Sequence, residues 1–168
     1  MTAPRMTAPR AIATCFGIGN LPAAPGTWAS AAAIPLAWAL HAAGGFWALG
    51  LATVALTLLG YWATARTLEG RAEDPAEVVI DEVVGMLIAL WPLSIGLSHM
   101  GAEWHVWPWP GWVLGFLLFR FFDIVKPPPV SWADRMPGPL GVMLDDIVAG
   151  VLTAAITVIA AGIAHGWF

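Results

Sequence analysis

The sequence has few charged residues and a single cysteine, and each shortage excludes a class of protein. Asp, Glu, Lys and Arg together make up 11% of the 168 residues, against the roughly 25% that is usual for a soluble domain. This composition excludes a disordered chain, and the net charge of −4 leaves no basic surface for nucleic acid. Because Cys15 is the only cysteine, an internal disulfide and a cysteine zinc cluster are also excluded.

Long uncharged runs fill most of the chain. Hydrophobic residues make up 59% of the sequence, and the mean hydropathy is +0.76. An uncharged apolar run of about 18 residues is already long enough to cross a membrane. The long runs lie at 11–65, 83–102, 104–119 and 147–168. They predict a small multi-span membrane protein; the alternative is a soluble bundle whose apolar helices bury one another.

The runs divide into about five helices of an all-α membrane bundle. Gly and Pro mark the breaks between them, and long polar loops are expected at 66–80 and 126–144. We expect residues 1–10 to form an uncleaved tail and 11–168 to form one domain. The predicted helices run from about Trp28 to Ala43, Phe46 to Ala65, Asp81 to His99, Gly111 to Val125 and Asp145 to Ala164.

The positive charges predict how the bundle is oriented. With five spans, the N-terminus and both long loops lie on one side of the membrane. All the cations fall on or next to that side: Arg5, Arg10, Arg66, Arg71, Arg120, Lys126 and Arg135. The positive-inside rule makes that side cytoplasmic. The opposite interface would then hold an aromatic belt of Trp104, Trp107, Trp109 and Trp112.

An acidic pair occurs twice, each time before an apolar helix. Asp81-Glu82 and Asp145-Asp146 stand in similar contexts, Ile-Asp-Glu-Val-Val-Gly and Leu-Asp-Asp-Ile-Val-Ala-Gly. Carboxylates near membrane depth are costly, and oxygen ligands suit Mg²⁺. The alternative is that some or all of these acids cap their helices. Two matched pairs on one side favour a metal site.

Two other motifs could bind an anion. Arg120, Asp123 and Lys126 recur at spacings that place them on one helix face, where they could hold a phosphate beside a metal; the alternative is a simple ion pair. Residues 17–30 are rich in Gly and Pro before an apolar helix, and free amides there could bind an anion. The alternative is a turn with a Thr27 or Ser30 cap. Since Cys15 has no evident partner, the expected nucleophile is water activated by a metal.

Taken together, these motifs resemble the phosphatidylglycerophosphatase A family. The resemblance rests on residues 17–30, 74–85, 119–129, 133–135 and 141–150, which occur in the expected order. It implies an all-helical, Mg²⁺-dependent phosphatase of the bacterial inner membrane whose active site faces the cytoplasm. Its reaction would convert phosphatidylglycerophosphate to phosphatidylglycerol and phosphate.

The expected roles follow from the motifs and this resemblance. The substrate is a phospholipid in the membrane, and neither nucleic acid nor an obligate protein partner is expected. The alternative function is a membrane carrier with an acidic cytoplasmic vestibule. The catalytic acids are expected to be Asp81, Glu82, Asp123, Asp145 and Asp146, with Asp81, Glu82, Asp145 and Asp146 as metal ligands. The expected phosphate-binding residues are Arg120, Lys126, Arg135, Asn20, Gly26 and Thr27.

Overall fold

A computed structural model describes residues 6–69, 76–102, 106 and 108–166. Over these residues all of the regular secondary structure is helical, as expected, and there is no strand. It contains more helices than the five predicted, because short helices join the long ones. The elements are α1 (Ala8–Ala13), a 3-10 helix (Cys15–Asn20), α2 (Pro25–Leu68), α3 (Ile80–Ala89), α4 (Trp91–His99), α5 (Trp109–Val125), α6 (Val130–Asp134) and α7 (Gly138–Ala164).

Helix α2 is a hairpin of two arms. Its backbone leaves the helical region at Gly44 and at Gly45, where φ is +61°. Glycine adopts that left-handed conformation without the steric cost that other residues meet. Both ends of α2 line the same cavity, so the two arms run in opposite directions. The first two predicted helices are therefore confirmed as the arms 25–43 and 46–68.

Helix α3 forms the centre of the bundle. Nine of its ten residues are buried, as expected for a helix that is apolar all round. The predicted third helix is interrupted at Leu90, after which α4 begins with Pro92 in its first turn. A proline is tolerated there because its missing N–H would have no partner inside the helix.

The predicted loop at 126–144 is wrong in two places. Helix α6 lies within it, and α7 begins at Gly138 instead of near Asp145. Pro139 lies in the first turn of α7, where proline favours helix initiation, so the Gly-Pro pair begins a helix instead of extending a loop. Asp145 and Asp146 are consequently about two turns inside α7 and do not cap it.

The outer surface is that of a membrane bundle. Large apolar side chains are exposed on the second arm of α2, on α5 and on α7, including Leu51, Leu117 and Ile163. Among the residues that the structure describes, the segments long and apolar enough to cross a membrane are Pro25–Leu68, Ile80–His99 and Gly138–Ala164.

Part of the sequence-based description concerns residues that the structure does not describe. Trp104 and Trp107 of the expected belt are among them, as are Arg5, Arg71 and the acids 73, 74 and 103. Trp109 is 64% exposed, as an interface residue should be. Trp112 is only 4% exposed, so its assignment to an exposed belt is wrong. Trp112 lies on the side of α5 that packs into the core of the bundle.

Candidate active site

One end of the bundle encloses a cavity of about 850 Å³. Its wall comes from both ends of α2, the start of α3, the end of α5 and the first half of α7. Nine of the eleven predicted site residues line it: Gly26, Thr27, Asp81, Glu82, Arg120, Asp123, Lys126, Asp145 and Asp146. The cavity therefore unites motifs that lie up to 120 residues apart in the sequence.

Three carboxylates converge within this cavity, each from a different helix. Oxygen atoms of Glu82 on α3, Asp123 on α5 and Asp146 on α7 lie within 4.8 Å of one another. We call these three residues the carboxylate triad. Asp146 is 3% exposed, and its Oδ1 has no hydrogen-bond partner among the described residues. A buried carboxylate oxygen without a partner, beside two further carboxylates, is a donor set that fits Mg²⁺.

Close contact between α3 and α7 brings two members of the triad together. A Cβ added at Gly85 would lie 2.5 Å from the backbone oxygen of Asp146, and one added at Gly150 would lie 2.3 Å from that of Gly85. Such distances leave no room for a side chain at either position. The two similar sequence segments thus each supply an acidic pair and a glycine that allows the helices to touch.

The first acid of each pair has a different set of contacts from the second. Asp81 Oδ1 accepts a hydrogen bond from the backbone N–H of Glu82 at 2.9 Å, and Asp145 Oδ1 accepts one from that of Asp146 at 3.0 Å. Asp145 Oδ2 also lies 2.7 Å from Lys126 Nζ. All four acids line the cavity, but the convergent set consists of Glu82 and Asp146 with Asp123.

Arg120 neutralises part of the triad. Its guanidinium forms an ion pair with Glu82 and another, at 2.8 Å, with Asp123 Oδ2. The arginine and both carboxylates have side chains that are no more than 14% exposed. The Arg120–Asp123 ion pair suggested by the spacing is therefore present, and it forms part of the cavity wall.

Lys126 lines the cavity, but not from the helix face that its spacing predicted. Helix α5 ends at Val125, and Lys126 follows it with φ of 48°, so it does not continue the helix face of Arg120 and Asp123. Its Nζ contacts both Asp134 and Asp145. Burial alone would lower the pKa of Lys126, but hydrogen bonds from Nζ to these two carboxylates raise it overall. The ammonium is therefore charged at neutral pH.

The first turn of α2 faces the triad. A Cβ added at Gly26 would lie 1.9 Å from Glu82 Oε1, so a larger residue at this position would displace that carboxylate. Thr27 lines the same part of the cavity. Amides in a first helical turn lack partners within the helix, and they attract anions.

Asn20 and Arg135 lie apart from the other predicted residues. Both are exposed, and neither lines the cavity. Sequence reasoning also missed two residues that contact the site. Asp134 binds Lys126, although its neighbour Arg135 was the residue selected, and Ser30 contacts Glu82. Ser30 closes the 17–30 motif, where it was considered only as a helix cap.

Cys15 lies outside the cavity lining and is poorly suited to act as a nucleophile. Its thiol is 3.7 Å from the backbone oxygen of Val79. Burial, and secondarily the negative charge of Asp81, raises the pKa of Cys15 to about 12. The thiol is therefore protonated at neutral pH, whereas a nucleophilic cysteine must be a thiolate.

Comparison with known proteins identifies the family of the chain. The family described as phosphatidylglycerophosphatase A matches residues 11–161. A Bacteroides thetaiotaomicron protein named "Putative phosphatidylinositol-3-phosphatase" is 39% identical, covering 90% of this chain and 92% of that protein. Phosphatidylglycerophosphatase A of Escherichia coli is 35% identical, covering 93% of this chain and 83% of the relative. The Haemophilus influenzae phosphatidylglycerophosphatase A is 34% identical, covering 83% of this chain and 80% of the relative.

No solved structure is significantly similar to the chain. The family match covers most of the sequence, including every residue that lines the cavity. The relatives are aligned over most of their own lengths. The chain therefore belongs to the phosphatidylglycerophosphatase A family and is a membrane phosphatase.

Proposed function

We propose that this protein hydrolyses the terminal phosphate of phosphatidylglycerophosphate, with Mg²⁺ as its cofactor, on the cytoplasmic side of a bacterial inner membrane. Water attacks the phosphorus, the bond from phosphorus to the glycerol oxygen breaks, and phosphatidylglycerol and phosphate are released. The observation that carries the proposal is the convergence of Glu82, Asp123 and Asp146 in a cavity that also holds Arg120 and Lys126.

The carboxylate triad is the proposed Mg²⁺ site. Its ligands are all oxygens, and its members come from three helices, so the ion would join them at one point. When bound, Mg²⁺ supplies Lewis-acid polarisation of a phosphoryl oxygen and lowers the pKa of a coordinated water. Asp81 and Asp145 line the same cavity and remain candidates for orienting the attacking water.

Cations of the chain would bind the phosphate. Lys126 is 33% exposed, and its charge is directed to the part of the cavity beside Asp145. Arg120 stands on the other side, next to the triad. Together with the amides near Gly26 and Thr27, they surround a polar space in which a phosphate dianion would be neutralised.

Apolar residues complete the wall of the cavity, as a lipid substrate requires. Leu68, Val79, Ile124 and Val142 line it next to the charged groups. Ile124 is 68% exposed on the outer surface of α5, so the cavity reaches the apolar exterior of the bundle. A substrate whose phosphate lies inside could leave its acyl chains in the membrane.

Charge supports the cytoplasmic orientation. The described cations are Arg10, Arg66, Arg120, Lys126 and Arg135, and they belong to the elements that surround the cavity end of the bundle. Such an accumulation at one end is typical of the cytoplasmic side. The bacterial inner membrane agrees with the bacterial origin of the relatives.

The proposal is tested by phosphate release from purified protein in detergent micelles that contain phosphatidylglycerophosphate. We expect turnover with Mg²⁺, none after addition of EDTA, and recovery when Mg²⁺ is restored. Asp123→Asn protein purified in the same way should be inactive, which excludes a contaminating phosphatase. Full activity in EDTA would overturn the metal mechanism, and absence of phosphate release would overturn the substrate assignment.

A parallel reaction tests the substrate named for the Bacteroides relative. Phosphatidylinositol 3-phosphate, offered at the same micellar concentration, should be hydrolysed more slowly than phosphatidylglycerophosphate. Faster release from the inositol lipid would transfer the assignment to that substrate. A carrier would release phosphate from neither lipid.

A further inference from the structure

Ser30 is a fully buried hydroxyl next to the carboxylate triad. It lies on the first arm of α2 and is 0% exposed. Its Oγ is 2.8 Å from the backbone oxygen of Gly26 and 2.7 Å from Glu82 Oε2. Arg120 Nη1 donates to the same hydroxyl at 3.4 Å. Ser30 thus contacts both the carboxylate and the guanidinium of the Arg120–Glu82 ion pair.

A serine hydroxyl has one proton, and here two acceptors compete for it. The carbonyl of Gly26 is neutral, whereas the Glu82 carboxylate is paired with the Arg120 cation. Hydrogen bonds to a charged acceptor are roughly twice as strong as bonds between neutral groups. The shorter distance also belongs to Glu82. The proton is therefore directed to Glu82 Oε2.

We propose that Ser30 is a positioning residue that fixes the Glu82 carboxylate in the orientation needed for divalent-cation binding. This inference rests on the proposed function, because it takes the triad as the cation site. Glu82 is confined on three sides: by the Ser30 hydroxyl, by Arg120, and by the backbone at Gly26. Ser30 and Arg120 both contact Oε2, and Oε1 lies against Gly26, so the carboxylate has little freedom to turn away from Asp123 and Asp146.

Thr153 provides a matched control for a purely structural hydroxyl. It is also 0% exposed and lies on α7, one of the helices that carry the triad. Its hydroxyl donates to the backbone oxygen of Ala149 at 2.9 Å, as a serine or threonine in a helix commonly does. It does not line the cavity. Ser30→Ala and Thr153→Val each remove a buried hydroxyl with little change in shape.

The experiment measures Mn²⁺ binding to purified wild-type and variant proteins in detergent, by the loss of the free Mn²⁺ electron paramagnetic resonance signal. Removal of a group that orients a metal ligand typically weakens metal binding 10- to 100-fold. We expect Ser30→Ala to raise the Kd for Mn²⁺ about tenfold or more, and Thr153→Val to change it less than about twofold. Ser30→Cys, which is slightly larger than serine and donates only weakly, should give an intermediate value.

Phosphate release from phosphatidylglycerophosphate is measured on the same samples at increasing Mg²⁺. The concentration for half-maximal activity should rise in Ser30→Ala, while kcat at saturating Mg²⁺ should fall by a smaller factor. If wild type binds Mn²⁺ and is active but Ser30→Ala binds equally well, the positioning role is wrong and the proposed function stands. An equal rise in the Kd for Mn²⁺ in Ser30→Ala and Thr153→Val would also overturn the positioning role. If wild type binds no cation, the metal site and this inference both fail.

Discussion

Replacement of Asp146 by Asn should make the protein less active and, without divalent cation, more stable. The change keeps the shape of the side chain and removes one of three carboxylate charges that lie within 4.8 Å of one another. Arg120 compensates Glu82 and Asp123 directly, whereas Asp146 Oδ1 has no hydrogen-bond partner among the described residues. Asp146 is therefore the member of the triad with the most repulsion left to relieve.

The size of this stabilisation follows from the distance between the carboxylates. Two unit charges 4.8 Å apart interact by about 3.5 kcal/mol at an effective dielectric constant of about 20. Because Arg120 offsets part of the repulsion, we expect Asp146→Asn to stabilise the cation-free protein by about 1–2 kcal/mol. For a chain of this length, that corresponds to a rise in Tm of roughly 2–8 °C. Turnover should fall about 100-fold or more, as when a group that stabilises transition-state charge is removed.

The assay combines thermal unfolding of purified protein, with EDTA and with Mg²⁺, and phosphate release. Mg²⁺ should raise the Tm of wild type more than that of Asp146→Asn, since a ligand stabilises the folded state that binds it. Asp145→Asn is the control, because Asp145 accepts hydrogen bonds from Lys126 and from the Asp146 amide. That variant should have a lower Tm in EDTA. A lower Tm in EDTA for Asp146→Asn, or unchanged turnover, would refute the reasoning.

Three further predictions concern coupling, the thiol and the topology. Asp146→Asn combined with Glu82→Gln should lose little more turnover than the worse single variant, because members of one site act as a unit. Losses that multiply would show that the two acids act independently. Cys15→Ala should keep near wild-type turnover, and the wild-type thiol should resist iodoacetamide at pH 8, because its pKa is about 12. A reporter fused in the 66–80 loop should be cytoplasmic and one fused at the carboxyl-terminal end periplasmic; two reporters on one side would exclude the five-span topology.

The long helices could be predicted because the signals for them are local. Gly44 and Gly45 interrupt an uncharged run, and the structure reverses the chain there. The start of α7 could not be predicted in the same way. Gly138-Pro139 resembles a loop, but proline is favoured in the first turn of a helix. The Gly-Pro pair by itself does not decide between the two, and in the structure Gly138 has a φ of +71° and Gly141 packs against the backbone of Met136.

The participants in the site were easier to predict than their arrangement. The repeated acidic pair indicated that two helices meet, and Gly85 and Gly150 lie where they do meet. Gly150 follows Asp146 by four residues, so the two share a face of α7. In the other pair, Asp81 and Glu82 both lie within about one turn of Gly85. The sequence alone does not show which of these two acids joins the triad. In the structure it is Glu82, which contacts Arg120, 38 residues later in the chain.

The position of the triad explains why acids and glycines occur together in both segments. The glycines bring α3 and α7 into backbone contact, and Phe119 of α5 packs against Gly85. The three carboxylates are at most 14% exposed, so water screens their charges poorly. The same proximity that makes three carboxylates repel one another makes them bind a small cation tightly. On the proposed function, the metal would therefore join α3, α5 and α7 at the point where their own charges oppose the packing, and activity and cation-free stability should change in opposite directions.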